Sequence, residues 1–337
     1  MATRKHATKT TNAILPAGAR LGRYTVARKL SAGGFGVVYL ALRSDGQPVA
    51  IKEFLPSVMA CRGPGDKGQV LVRNPAHAKR FKDGLEAFFR EADILARIHN
   101  DRVIQIWDVF EANGTAYFAM PVEKGGTLQS LIRSQSLPLP DAKLAHIFSE
   151  AALGIQTLHE AGLLHLDIKP SNLWVRPDSS VVVLDLGASR WEDEEGRIAQ
   201  LARTPGFAAP EQHGTKRARS LTIRTDVYGL GASLYAAIER RPAPPAPQRR
   251  PDELSLLKRR LGQHSTPLLE VIDRAMSLLP GDRFASARDF RSALRRVSRL
   301  PRSVSRPRDH LSSAPGWEEL VIPVASWPDE PTGDILR

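Results

Sequence analysis

The sequence of 337 residues contains a single cysteine, Cys61. One thiol excludes a disulfide within the chain and fits a reducing compartment. No apolar run reaches the roughly eighteen residues that a membrane-spanning helix needs. Aromatic residues are also scarce, at 6%, but hydrophobic residues at 42% are sufficient for a packed core. We therefore expect a globular, cytoplasmic protein without a membrane span.

Acidic residues are absent from the first 23 positions, which contain several lysines and arginines. Organelle transit peptides have this composition, but we favour a basic disordered lead over residues 1–23. Prolines recur at the other end from Pro301 onwards. We therefore expect residues 299–337 to form a proline-rich disordered tail.

The net charge of +12 raises nucleic acid as a candidate partner. Much of the excess lies near the ends of the chain, in the lead and in a run of arginines between Arg291 and Arg308. Such runs are more often solvated surfaces, so we do not expect nucleic acid to be a partner.

Residues 24 to 120 show the pattern of short β-strands around one helix. The runs "YTVARKL", "GVVYLAL" and "PVAIKEF" predict an antiparallel meander, with two more strands around "VIQIWDVFE" and "TAYFAMPV". Helical spacing predicts an inner helix face formed by Phe81, Leu85, Phe88, Ala92 and Leu95. We interpret the polar stretch 56–78 before this helix as a surface excursion, and a docking site for a regulator is the alternative.

Beyond Gly125 the sequence becomes helical. An apolar stripe from Leu144 to Leu158 predicts a core helix that ends at Gly162. Helical spacing recurs in three later segments, and the proline- and arginine-rich segment 240–251 predicts a loop. The three helical segments are 224–239, 266–279 and 286–297. We expect a small β-rich lobe joined near residues 121–126 to a larger helical lobe.

Four ionisable residues interrupt apolar runs. They are Lys52 in "VAIKEF", Glu91 in "FFREADIL", Asp167 in "LLHLDIKPSN" and Asp185 in "VVVLDLG". Burying a lone charge is costly, so each of them needs a partner or a ligand. Glu91 lies at the edge of the inner helix face, where Lys52 from the covered sheet is its natural partner. A purely structural ion pair is the alternative interpretation.

Three glycines, Gly33, Gly34 and Gly36, precede the lysine strand. Glycine permits φ > 0 and lets backbone N–H groups approach an anion, although a tight hairpin explains the cluster equally well. A Rossmann fingerprint needs a helix after the glycines, whereas "VVYLAL" is typical of a strand, and no Walker A lysine follows. Among nucleotide-binding motifs, the remaining interpretation is a hairpin that covers the phosphates, with Lys52 on the next strand.

Side chains with oxygen ligands occur in two of the apolar runs that an ionisable residue interrupts, "LLHLDIKPSN" and "VVVLDLG". Asp185 ends an apolar strand, where Gly187 allows a sharp exit, while Asp167 and Asn172 supply a carboxylate and an amide. Mg²⁺ takes oxygen ligands and retains waters and phosphates in its shell. One carboxylate with one amide suits such a site.

These segments resemble, in their order along the chain, the motif series of a protein kinase domain of the Ser/Thr type that is widespread in bacteria. The series is the glycine turn, "VAIK", the helix glutamate, "HLDIKPSN", "DLG" and "APE". Six motifs in series over residues 24 to about 298 are very specific. The resemblance implies an α+β, bilobal protein-kinase-like fold. A small antiparallel β-sheet lobe with one main helix would span about 24–120, and a larger, mainly helical lobe about 126–298.

The resemblance also implies ATP and Mg²⁺ as cofactors. Asp167 would orient the substrate hydroxyl and accept its proton, and Lys169 would neutralise the γ-phosphate. Asn172 and Asp185 would hold Mg²⁺. The implied ATP-binding residues are Leu30, Gly33, Gly34, Gly36, Val38, Ala50, Lys52, Glu91, Met120, Val122 and Leu173.

Further residues have structural roles by the same resemblance. Asp226 would anchor the catalytic loop, and Glu211 with Arg283 would form an ion pair in the large lobe. Lys169 and Thr204 resemble the Ser/Thr class, which implies a protein substrate with a Ser or Thr acceptor.

Leu166 departs from the family pattern, which usually has an arginine that pairs with a phosphate on the activation segment. We therefore expect activity without activation-segment phosphorylation. A permanently ordered segment, or a regulator protein at residues 56–78 or at the C-terminal tail, would replace the switch. The alternative function is a pseudokinase scaffold that binds nucleotide or partners without turnover. The presence of all six catalytic-type residues favours the kinase: Lys52, Glu91, Asp167, Lys169, Asn172 and Asp185.

Overall fold

The computed structural model of the chain describes residues 14–34, 36–63, 68–135, 139–191, 204–213, 221–249 and 264–297. The described residues form two compact units. The first contains the residues up to Ala96 together with Ile106–Val122, and the second contains Arg97–Gln105 and the residues from Glu123 onwards. The expected tail over 299–337, and positions 1–13 of the expected lead, lie outside the described residues.

Eight strands and one long helix form the first unit. The strands are β1 Arg20–Leu21, β2 Tyr24–Ala32, β3 Gly36–Arg43, β4 Pro48–Phe54, β5 Ala60–Arg62, β6 Val70–Val72, β7 Asp108–Ala112 and β8 Thr115–Pro121, and the helix is α1 Ala78–Arg97. Six strands form one antiparallel sheet in the order β1-β2-β3-β4-β8-β7. The predicted meander is therefore present, because β-branched and aromatic residues fit a pleated, half-buried surface.

The strand predicted around residues 103–111 begins only at Asp108. Val103 instead forms an isolated parallel bridge with Val183, and the Ile104 amide donates to the Val183 carbonyl 3.0 Å away. The apolar residues at 103 and 104 therefore belong to the second unit, which the local pattern does not reveal.

Side-chain alternation gives the main sheet two different faces. One face carries Lys52 and Phe118, and α1 packs against it: the Phe88 and Phe118 rings are stacked with centroids 4.7 Å apart. The opposite face carries a second apolar cluster that includes Tyr39 and Tyr117. Apart from the exposed Pro48, the residues of β4 are buried or half-buried between these two clusters.

The expected disordered lead is wrong for residues 14–23. Leu15 and Leu21 are buried in the cluster behind the sheet, and Arg20–Leu21 pairs with β2. The two leucines cover apolar side chains on the face of the sheet opposite Lys52 and remove them from water. The ordered fold therefore begins before Tyr24.

Residues 56–63 and 68–78 do not form the surface excursion that the sequence predicts. They contain the antiparallel hairpin β5–β6, whose Ala60 and Val70 join the cluster behind the sheet. A short 3-10 turn, Pro75–His77, follows, and the Asn74 side chain caps it by accepting from the Ala76 amide at 2.9 Å. The chain then enters α1 directly.

The second unit is mainly helical. Its helices are α2 Leu128–Ser134, α3 Asp141–Glu160, α4 Ile223–Glu239, α5 Thr266–Ala275 and α6 Ala287–Val297, and its short strands are β9 Gly126–Thr127, β10 Leu163–Leu164, β11 Leu173–Val175, β12 Val181–Val183 and β13 Arg190–Trp191. The predicted core helix is α3, and Gly162 follows its end with a φ of 77°. Among the described residues, no helix has the length and apolar content needed to cross a membrane.

The other predicted helices are present with altered ends. The helix predicted over 266–279 ends at Ala275, whereas those predicted over 224–239 and 286–297 begin at Ile223 and Ala287. The described part of the loop 240–251 includes one 3-10 turn, Ala246–Gln248, and residues 250 and 251 lie outside the described ranges.

Candidate active site

Lys52 and Glu91 form an ion pair within the first unit. The Lys52 Nζ lies 2.9 Å from the Glu91 Oε1, and the Glu91 residue is only 4% exposed. The Lys52 ammonium also lies 5.1 Å from the centre of the Phe118 ring. A carboxylate buried to this extent requires a cation, and the Lys52 ammonium on β4 is that cation.

The glycine turn joins β2 to β3, and the Gly33 amide donates to the Gly36 carbonyl at 2.9 Å. None of Gly33, Gly34 and Gly36 has a positive φ, so left-handed backbone is not the reason for glycine here. A Cβ at Gly36 would collide with the carbonyl oxygen of Glu53 on β4. A Cβ at Gly33 or Gly34 would meet no protein atom within 4 Å, so the space above the turn is open.

The apolar ATP-site candidates fall in both units. Val38 lies opposite Lys52 in the sheet, and Ala50 lies opposite Met120, so all of them share the face that carries Lys52. Leu30 and Ala50 are buried, whereas Val38, Met120 and Val122 are half-buried. Leu173 begins β11 in the second unit and is fully buried there.

Asp226 holds the loop that carries Asp167. Its Oδ1 accepts from the Leu166 amide and its Oδ2 from the His165 amide, each at 2.8 Å, and the His159 Nε2 also lies 2.8 Å from Oδ2. Asp226 is 1% exposed, and burial raises its pKa, but these hydrogen bonds outweigh burial and leave the pKa below its usual value. The carboxylate is therefore a fixed anchor for the loop.

Leu166 has a φ of 64°, which is strained for a branched residue. Its side chain packs with Leu164, Ala188, Leu221 and Ile223, and its carbonyl accepts from the Gln212 Nε2 at 2.8 Å. The position that usually carries an arginine is therefore apolar and buried.

Asp167 lies at the centre of a hydrogen-bond cluster in the second unit. Its Oδ1 accepts from the Thr204 hydroxyl at 2.6 Å, and its Oδ2 accepts from the Lys169 ammonium at 2.7 Å. Lys169 also donates to the Thr204 hydroxyl oxygen at 3.1 Å. The Asn172 Nδ2 donates to the Asp167 carbonyl at 2.9 Å, and its Oδ1, the acceptor of that side chain, accepts from the Ser171 hydroxyl at 3.3 Å.

Asp185 follows β12 and is linked through the backbone to Asn172. The Leu184 amide donates to the Asn172 carbonyl at 2.9 Å, so the segments of both magnesium candidates adjoin. The sharp exit predicted at Gly187 is made by Asp185 itself, whose φ is 59°, and its Oδ1 accepts from the Gly187 amide at 3.4 Å. A short polar side chain that bonds its own backbone tolerates this conformation.

Glu211 and Arg283 form a bidentate ion pair, with N–O distances of 2.7 and 2.9 Å. The Thr225 hydroxyl donates to the same carboxylate at 2.9 Å, and both charged residues are buried. The pair joins the 3-10 turn Pro210–His213 to the segment before α6.

Sequence reasoning missed three residues of this region: His159, His165 and Gln212. His165 is fully buried, and Gln212 bridges the Leu166 carbonyl and the Ala209 amide. His159 and Gln212 act on Asp226 and on backbone groups, so no spacing in the sequence points to them, whereas His165 is the first residue of the motif "HLDIKPSN".

The family model described as "Protein kinase domain" matches residues 24–265. The chain is 26% identical over 247 residues to the probable serine/threonine-protein kinase zyg-1 of Caenorhabditis briggsae, covering 72% of this chain and 30% of that protein. It is 28% identical over 303 residues to the tyrosine-protein kinase MasK of Myxococcus xanthus, covering 81% of this chain and 42% of that protein.

A solved structure titled "PpkA-294 apo form" matches with a TM-score of 0.73 and 29% sequence identity, covering 84% of this chain and all of that one. The antiparallel sheet unit and the helical unit are those of the protein kinase fold, as predicted. The chain belongs to the protein kinase family. It spans less than half the length of the two curated relatives described above.

Proposed function

We propose that this chain is an ATP- and Mg²⁺-dependent protein kinase that transfers the γ-phosphoryl group to a Ser or Thr hydroxyl of a protein. The observation that carries the proposal is the Asp167 cluster: a carboxylate held between the Lys169 ammonium and the Thr204 hydroxyl, on a loop anchored by Asp226. Such a group can orient an incoming hydroxyl and accept its proton.

The acceptor class depends on Lys169 and Thr204. The two residues bond each other as well as Asp167, which places a cation beside the proposed base. Several curated relatives are named serine/threonine-protein kinases and one is named a tyrosine-protein kinase, so the names support a Ser or Thr acceptor. The Lys169–Thr204 contact favours Ser and Thr, as the motif resemblance implied.

In the first unit, Lys52 would contact the α- and β-phosphates of ATP, and Glu91 would orient its ammonium. The open space above Gly33 and Gly34 gives the phosphates room beside backbone N–H groups. Leu30, Val38, Ala50, Met120 and Val122 would supply apolar contacts to the adenine from the first unit.

The donor set of Asn172 and Asp185 fits Mg²⁺, because both offer hard oxygen ligands. The described residues contain no group of three or more His, Cys, Asp and Glu side chains suited to a metal. Phosphates and waters would therefore complete the shell. Bound there, Mg²⁺ would compensate the charge of the transferring phosphoryl group.

The proposal is tested by transfer of labelled γ-phosphate from ATP to a protein substrate, with and without Mg²⁺. Transfer should require Mg²⁺ and should fall about a hundredfold or more in Lys52→Met, because an electrostatic clamp is lost. Lys29→Met is the matched control, since Lys29 is exposed on β2. ATP binding without transfer in the unmodified chain would instead identify a pseudokinase.

Activity should not require phosphorylation of the activation segment. Between Asp185 and Glu211 the hydroxyl residues are Ser189 and Thr204, and Thr204 is bonded to Asp167. The usual phosphate partner is replaced by the buried Leu166. Residues 192–203 lie outside the described ranges, and their sequence contains no Ser, Thr or Tyr.

Phosphatase treatment of the purified chain, checked by mass spectrometry, should leave turnover unchanged, and so should Ser189→Ala. Untreated enzyme assayed in parallel is the control. Loss of turnover after either change would show that a phosphate switch operates.

A further inference from the structure

The hairpin β5–β6 places a buried arginine behind the main sheet. Arg62 ends β5, is 5% exposed, and donates through Nη2 to the Glu53 Oε1. Glu53 follows Lys52 on β4 and is 0% exposed. Because side chains alternate along a strand, Glu53 and Lys52 project from opposite faces of the sheet.

The Glu53 carboxylate joins four elements. The Tyr39 hydroxyl on β3 donates to its Oε2 at 2.9 Å, and the Tyr117 hydroxyl on β8 donates to its Oε1 at 2.5 Å. With Arg62, these bonds tie β4 to both neighbouring strands and to the hairpin. A one-residue slip of β4 would move Glu53 to the Lys52 face and break every one of them.

The buried Arg62–Glu53 ion pair fixes the position of β4 more than it adds to the stability of the fold. Burial raises the pKa of Glu53, and Arg62 and the two tyrosines oppose that rise. The Arg62 Nε and Nη1 have no hydrogen-bond partner among the residues that the structure describes. A buried ion pair that is incompletely bonded adds little net stability over an apolar replacement, but it can specify position.

The same hairpin also leads into α1. The Arg73 Nε donates to the carbonyls of Ser57 and Ala60 at 3.0 and 3.1 Å, which closes the hairpin base just before the Asn74 cap. Both the strand with Lys52 and the helix with Glu91 are therefore attached to the hairpin β5–β6.

We propose that Arg62 is a positioning residue for Lys52. It acts through Glu53 to hold β4, so that the Lys52 ammonium stays in place for Glu91 and for the nucleotide phosphates. The hairpin β5–β6 thus supports the proposed phosphate-binding lysine from the opposite face of the sheet. This inference rests on the proposed ATP site.

The test uses three variants of the full chain: Arg62→Met, Arg62→Lys and the double variant Glu53→Gln/Arg62→Met. In Arg62→Met the KM for ATP should rise about tenfold, with a smaller change in kcat. Amide hydrogen exchange of residues 48–54, measured without nucleotide, should speed up about tenfold. Arg62→Lys should recover part of both effects, and Arg28→Met, a change of an exposed arginine on β2, should alter neither.

The double variant separates positioning from the cost of an unpaired buried charge. It should regain the Tm lost in Arg62→Met, because no lone carboxylate remains, but its KM should stay raised, because the hairpin is still uncoupled from β4. Recovery of KM together with Tm would overturn the inference, as would unchanged KM and exchange in Arg62→Met. If Arg62→Met does not fold, the double variant gives the same decision.

The exchange measurement also separates this inference from the proposed function. If the unmodified chain binds no ATP, the proposed function fails, and exchange of residues 48–54 alone decides whether Arg62 positions β4. If ATP turnover is present and exchange is unaffected by Arg62→Met, only the positioning role fails.

Discussion

Asp167→Asn is expected to lower phosphoryl transfer about a thousandfold while leaving the chain folded, because a positioned general base contributes two to four orders of magnitude (roughly) to such a step. The asparagine keeps the shape of the side chain. It loses the charge that holds the Lys169 ammonium at 2.7 Å and one of the two acceptor oxygens that Thr204 and Lys169 use. The measurement is the initial rate of γ-phosphate transfer at saturating ATP.

Asp273→Asn is the matched control, since Asp273 is exposed on α5. Binding of ATP should persist in Asp167→Asn, because the proposed phosphate and metal ligands are other residues. A transfer rate within a fewfold of the unmodified chain would show that Asp167 does not orient the acceptor hydroxyl.

Asp226→Asn is expected to destabilise the chain by about 3 kcal/mol and to abolish most of the activity, because charge-assisted hydrogen bonds to buried amides are lost. The new amide N–H₂ would face amides that are themselves donors, at Leu166 or His165. Leu166 has a strained positive φ that these bonds help to maintain. Release of that strain would displace the adjacent Asp167. Urea unfolding and transfer rate measure the two effects.

The effect of Asp226→Asn on stability should depend on pH. The pKa of Asp226 lies below its usual value in the folded chain, so its contribution is complete above the pKa of the unfolded carboxyl, about 4, and is lost as pH falls through the lower folded value. The contribution of the Asp226 charge should therefore be present above about pH 4 and shrink in strong acid. A difference that grows on acidification would contradict the assigned ionisation.

Much of the fold could be predicted because its signals are local. The stripe from Leu144 to Leu158 is a helix in the structure, and alternating apolar runs form the sheet. The Lys52–Glu91 pair was expected because a charge within an apolar run must find an opposite charge, and the Glu211–Arg283 pair was expected from the motif resemblance.

The rest depends on contacts between distant segments. Ile104 bonds the Val183 carbonyl, and Arg62 meets Glu53 behind the sheet, and neither partner can be identified from neighbouring residues. Residues 56–78 have few apolar positions. Ala60, Val70 and the buried Arg62 hold the hairpin in place, but they do not recur at the spacing of a strand or a helix, so the sequence pattern does not predict it. The sequence predicts the turn after β12 at Gly187, whereas the residue with the positive φ is Asp185, whose side chain accepts from the Gly187 amide.

The most direct test of the whole account is a crystal structure of the full chain with Mg²⁺ and a non-hydrolysable ATP analogue. The account predicts that the Lys52 ammonium contacts the α- and β-phosphates and that Asp185 and Asn172 supply oxygen ligands to the metal. Phosphates bound away from Lys52, or a metal held by neither Asp185 nor Asn172, would contradict it.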